Sequence, residues 1–204
     1  MDICRSLGVL SATIFLLGSM ARATMAKEPE PVTLSIGRLE IFGSGTDLVN
    51  FGFGSFDIAR ERGGRVHAGT SAASQIEYRF GEKLLVAGPL CGLIANGDGG
   101  VMGYGGIYFD TALDRFRKWR FSPVLSLGGY EQGDSKRLGG VFEFHLGASL
   151  TYLLVSGSRL GVSVTHISNA FIHQDNPGAE IIMLSYMVPF DWRRSPQSAG
   201  SQPR

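Results

Sequence analysis

From Val32 to Phe190 the chain alternates apolar and polar residues in short runs, each broken by Gly, Asp, Asn or Ser. Alternation with a period of two is the signature of strands with two unlike faces. The runs predict nine segments: Val32–Phe42, Asp47–Ala59, Ser74–Phe80, Leu84–Ala95, Val101–Asp110, Trp119–Tyr130, Leu138–Leu153, Arg159–Ser168 and Glu180–Phe190. Asn96–Gly100, Gln132–Ser135 and Ser156–Ser158 read as turns. Residues 60–73 read as a polar loop.

The faces separate by parity. Trp119, Phe121, Leu125 and Leu127 oppose Arg120, Ser122 and Ser126, and Ile76, Tyr78 and Phe80 oppose Gln75, Glu77 and Arg79. In the Leu138 segment the even positions, Leu138 among them, are apolar, whereas Glu143, His145, Ser149 and Thr151 are odd. A soluble sandwich would also carry one apolar and one polar face. Charges interspersed with glycine on the polar face suit the interior of a narrow barrel instead. The expectation is an all-β chain folded as an eight-stranded antiparallel transmembrane β-barrel, with Val32–Phe42 as a lead-in outside the ring.

The N-terminus changes the compartment. An apolar run from Leu7 to Met20 follows Arg5 and precedes Ala21-Arg22-Ala23, with Ala26 offering a second cut. This reads as a secretory signal peptide over 1–26, cut after Ala23 or Ala26. The barrel would occupy 27–190, and 191–204 would be a polar C-terminal tail. Cys91 is then alone in the mature chain, so no intrachain disulfide can form. A formal net charge of +1 gives no electrostatic support for binding nucleic acid. No His, Cys or carboxylate spacing suggests a metal.

One stretch carries candidate chemistry, from Val164 to Glu180. His166 and Ser168 share the apolar face with Leu160, Val162 and Val164, and Glu180 shares it with Ile182 and Leu184. A hydroxyl, an imidazole and a carboxylate are the groups of a serine esterase: Ser168 as nucleophile, His166 as general base, Glu180 orienting the imidazole. Asn169, Asn176 and Gly178 are near enough in sequence to supply oxyanion donors; Pro177 has no N–H. His173 and Asp175 are alternative triad members in the same loop, and His67 and His145 read as loop and lumen residues. In a bacterial barrel with periplasmic termini, the connection between the last two strands is external. The trio would therefore face the outer leaflet.

The run His166-Ile-Ser-Asn-Ala170, followed by Asn176-Pro-Gly-Ala-Glu180, resembles the signature of the lipid A 3-O-deacylase (PagL) family, also called the acyloxyacyl hydrolase family. The resemblance is sharpest over 138–190 and extends more loosely back to about Glu77. It implies an outer-membrane enzyme that hydrolyses the ester-linked 3-position acyl chain of lipid A, the anchor of lipopolysaccharide, without a cofactor. His166, Ser168 and Glu180 would be its triad and Asn169 and Asn176 supporting residues. A non-catalytic structural or adhesive outer-membrane barrel is the alternative, and a phospholipase-type barrel a third.

Overall fold

The computed structural model describes residues 30–58 and 71–190. The expected signal peptide, the expected tail and most of the polar loop lie outside the described residues. The strands are β1 (Val32–Ile36), β2 (Leu39–Phe42), β3 (Asp47–Phe56), β4 (Ser71–Arg79), β5 (Gly88–Asn96), β6 (Val101–Tyr108), β7 (Thr111–Leu113), β8 (Trp119–Glu131), β9 (Phe142–Leu153), β10 (Arg159–Ser168) and β11 (Ala179–Phe190). A single 3₁₀ turn, Asp114–Phe116, is the only helical element among the described residues.

Eight of these strands close a ring in the order β3-β4-β5-β6-β8-β9-β10-β11, with β11 returning to β3. Every neighbouring pair in the ring is antiparallel. Closure leaves no unpaired strand edge within the ring, which hydrocarbon surroundings require. The closing ladder pairs Phe190 with Asp47 and Ile181 with Phe56, so the ring begins and ends at one rim. Connections 97–100, 132–141 and 169–178 lie at the other rim. The lead-in forms a hairpin, β1 with β2, and β2 pairs with β7 as a flap hung from β8 at the first rim.

Side chains follow the predicted parity. Leu125, Leu127, Leu146, Leu150, Leu160, Val162, Val164, Ile182 and Leu184 are exposed on the outer wall. Trp119 and Tyr152 meet edge to face at one rim, and Phe142 and Phe144 do so at the other, as in the aromatic girdles of barrels that sit in lipid. The interior is layered. Toward the loop rim it is apolar, with Phe56, Met102, Tyr130, Leu138, Ile167 and Ile181 buried together. Below this, Tyr104 donates to Glu77 at 2.9 Å and Arg79 pairs with Glu77 at 2.7 Å. Lower still, Asp110 receives Arg159 at 2.9 Å, Lys83 at 3.2 Å and Ser122 at 2.5 Å. These groups fill the lumen, and the residual cavity beside His145 measures about 10 Å³.

Three expectations need correction. Residues 138–141 do not extend β9: Gly139 has φ +99°, which breaks the strand, and Leu138 turns inward to be buried instead of facing outward with Phe142. Leu84–Ala87 forms a tight turn with mutual Leu84–Ala87 hydrogen bonds, so β5 starts only at Gly88. β4 starts at Ser71, inside the segment expected to be loop.

Candidate active site

The final hairpin sets the site. The β10–β11 ladder runs from Arg159 opposite Met187 to Ile167 opposite Ala179, and in that register His166 faces Glu180. Directly opposed residues hold their Cβ atoms about 5 Å apart. His166 Nδ1 and Glu180 Oε1 accordingly lie 3.1 Å apart, with the side chains 45% and 36% exposed on the outer wall. In a neutral imidazole this contact would make Nδ1–H the donor to the carboxylate and leave the Nε2 lone pair available.

Ser168 follows on the same face, two residues and about 7 Å along the strand. Its hydroxyl makes no hydrogen bond to His166 as the side chains stand; catalytic hydrogen bonds commonly tighten only when substrate is bound. Below the three groups, Val162, Val164, Ile182 and Leu184 form an apolar strip.

The chain beyond Ser168 is held under strain. Ala170 and Phe171 both have positive φ, 51° and 61°, a conformation costing a non-glycine residue on the order of 1 kcal/mol each. Asn169, fully buried, supports it. Its backbone N–H donates to Asn176 Oδ1 at 3.0 Å, and its side-chain amide donates to Leu138 O at 2.7 Å and Asp175 O at 2.8 Å. Asn169 thus ties together the loops 132–141 and 169–178. Its backbone donor is engaged, so in this state it is not free to meet an oxyanion.

Gly178 has φ +60°, and a Cβ there would lie 2.9 Å from His166 Cε1 and 3.4 Å from Nε2. The glycine is needed both for its backbone and for the space the imidazole occupies. Arg137, Gly139, Asp175, Asn176 and Pro177 line an open cleft beside the loop.

The alternatives separate from this cluster. The His173 ring packs against Gly140, where a Cβ would be 2.0 Å from its Cδ2. His145 is buried in the lumen, 3.3 Å from Ser126 Oγ and stacked on Tyr104, a Ser–His pair closed to any substrate. His67 lies outside the described residues. Sequence reading missed Leu138 and Gly139, which brace the site from a distant loop. Leu138 looked like one more outward apolar position, and no local pattern marks a carbonyl as the partner of Asn169.

Residues 92–189 match the family model described as lipid A 3-O-deacylase (PagL). A curated protein, lipid A deacylase PagL of Bordetella bronchiseptica, is 32% identical over 93 residues, covering 42% of this chain and 52% of that protein. The chain thus aligns with about half the length of that relative. The crystal structure of the outer membrane enzyme PagL superposes with a TM-score of 0.51 at 17% identity, covering 70% of this chain and 99% of that one, a likeness of fold. The stretch that is similar to the lipid A 3-O-deacylase (PagL) family model holds His166, Ser168 and Glu180 and the strands from β6 to β11.

Proposed function

We propose that this chain is an outer-membrane serine esterase that removes the ester-linked 3-position acyl chain of lipid A. The observation that supports it most directly is the 3.1 Å contact between His166 Nδ1 and Glu180 on the outer wall, with Ser168 on the same face. Ionisable groups on such a wall belong near the interface, where their cost is small. That is also the level of a glycolipid's ester bonds.

In this reading, rotation of the Ser168 side chain brings its hydroxyl to His166 Nε2. The imidazole takes the proton as Oγ attacks the ester carbonyl, and Glu180 stabilises the imidazolium. Collapse of the tetrahedral intermediate returns the proton to the departing sugar 3-hydroxyl and leaves an acyl-serine. Water, deprotonated by His166, then releases the fatty acid and restores the Ser168 hydroxyl. The Gly178 N–H and the Asn176 side-chain amide are the donors proposed for the oxyanion. The acyl chain lies along Val162, Val164, Ile182 and Leu184.

Mass spectrometry of lipid A from cells making the intact protein or Ser168→Ala tests this. Loss of one acyl group only with the intact protein is the expected result. Unchanged lipid A in both, with folded protein in the membrane, would end the esterase reading. Acyl loss from phospholipid alone would move it to a different lipid class.

A further inference from the structure

The flap repeats the two-sidedness of the wall it hangs from. Thr111 of β7 pairs with Phe121 of β8. Thr111 and Leu113 pair with Ile41 and Leu39 of β2, and these pair in turn with Leu34 and Ile36 of β1. Directly opposed residues of an antiparallel ladder project from one face. Phe121 is exposed on the outer wall, so Leu34, Ile36, Leu39, Ile41 and Leu113 continue that wall sideways. Leu34, Ile36 and Leu113 are exposed as this predicts. The opposite face closes the barrel from below. Glu40, Phe42, Ala112 and Arg120 are buried there, with the Arg120 guanidinium 3.9 Å over the Phe42 ring.

Two constraints then fix the level of the flap. An apolar sheet face turned to water is costly. An unpaired strand edge in hydrocarbon is costlier, and among the described residues β1 pairs with β2 alone. Both costs are avoided at the boundary, with the face against acyl chains and the edge among headgroups. Trp119, the next outward residue of β8, meets Tyr152 edge to face beside the flap, the kind of aromatic pair that marks this boundary.

The tip of the flap is cationic. The Asp114 N–H donates to Arg38 O at 3.0 Å, which sets the β1–β2 turn beside the 3₁₀ turn Asp114–Phe116. Arg38, Arg115, Arg117 and Lys118 are all exposed there. Two carboxylates accompany them. Glu40 accepts from Arg117 Nε at 2.7 Å, and Asp114 Oδ1 accepts the Arg115 N–H at 2.6 Å. Among the described residues Arg38, Arg115 and Lys118 join no ion pair. Cations grouped beside an aromatic girdle meet one anion in a bilayer, the lipid phosphate.

We propose that the flap is an interfacial anchor: its outer face lies on acyl chains, and Arg38, Arg115 and Lys118 bind the headgroup of an anionic phospholipid at the rim opposite the candidate active site. The proposal rests on the bilayer location in the reading above and on none of its chemistry.

The test uses the full chain folded in bilayers of phosphatidylcholine and phosphatidylglycerol, with Cys4→Ser and Cys91→Ser so that one introduced thiol carries a polarity-sensitive dye. At Ile36→Cys the dye should report apolar surroundings, as it should at Leu150→Cys on the outer wall. Water at Ile36→Cys with lipid at Leu150→Cys overturns the anchor and spares the bilayer reading; water at both ends both. In mass spectrometry of the intact chain released from detergent, phosphatidylglycerol should be retained about fivefold or more over phosphatidylcholine. A chain with Arg38→Gln, Arg115→Gln and Lys118→Gln should lose that preference, with lipid A deacylation unchanged. Equal retention of the two lipids by the intact chain overturns the proposal, even if the triple variant fails to fold. So does an undiminished preference in the triple variant. A chain that passes these tests but spares lipid A would refute the esterase reading and leave the anchor standing.

Discussion

Gly178 stands edge-on to His166, so close that a methyl group on its α-carbon would come within 2.9 Å of Cε1. The imidazole is thus bounded on one side by the Glu180 carboxylate and on another by bare backbone. Gly178→Ala should tilt the ring away from both neighbours and force a left-handed alanine. Deacylation is expected to fall roughly tenfold or more. Urea unfolding should register a loss of only about 1 kcal/mol. Normal turnover in the alanine variant would show that the ring's position is not critical.

Glu180 is partly exposed, so in the proposed mechanism its service to His166 lies more in orientation than in field strength. Glu180→Gln preserves shape but can present its own N–H to Nδ1 and so select the wrong tautomer. Its kcat should drop by roughly 10² to 10⁴-fold with KM nearly unchanged. Comparable losses in KM and kcat would instead place Glu180 in substrate binding.

At the opposite rim, Asp110 is buried in the turn after β6 and shared by Arg159, Lys83 and Ser122. Burial alone would raise its carboxyl. The Arg159, Lys83 and Arg79 cations outweigh that and hold it below the usual carboxylate range. A carboxyl lowered in the fold stabilises it above the unfolded value near pH 4, and that contribution disappears as pH falls below it. Unfolding midpoints measured from pH 6 to pH 2 should therefore decline in the intact protein and decline less in Asp110→Asn.

Removing one partner from the same cluster should be more damaging than removing both. Arg159→Met leaves Asp110 and Glu30 short of a cation and should cost about 3–5 kcal/mol. Combining it with Asp110→Leu should recover part of that loss in equilibrium unfolding. Strict additivity of the two changes would mean the pair is not coupled.

Leu184 and Val162 oppose each other across β10 and β11 on the outer wall, both exposed. In hydrocarbon, Leu184→Arg should destabilise the barrel by about 2–4 kcal/mol, measured as reversible folding into bilayers. On a wall facing water the same change would be nearly neutral, so the measurement reads which solvent the strip meets.

Much of this architecture is visible in the chain before any coordinates. Alternation alone assigns Leu125 outward and Ser126 inward, because the period of a strand equals the period of the pattern. It likewise puts His166, Ser168 and Glu180 on one wall, since parity survives any error in strand ends. Pattern fails where it is interrupted. Gly139, at φ +99°, turns Leu138 from an outward position to a buried one, and hydropathy cannot distinguish the two. The hydrogen bonds of Asn169 to Leu138 and Asp175 join loops separated by a whole strand pair. No local spacing encodes them.

The packed lumen has a consequence for traffic. With Glu77, Arg79, Asp110 and Arg159 occupying its interior, the cylinder is not a conduit, and nothing the size of a glycolipid enters by its axis. On the proposed function, whatever reaches His166 arrives sideways, by drifting within a surrounding sheet of lipid. Encounter is then set by how crowded and how fluid that two-dimensional layer is, and dilution of the surrounding water should leave the rate untouched.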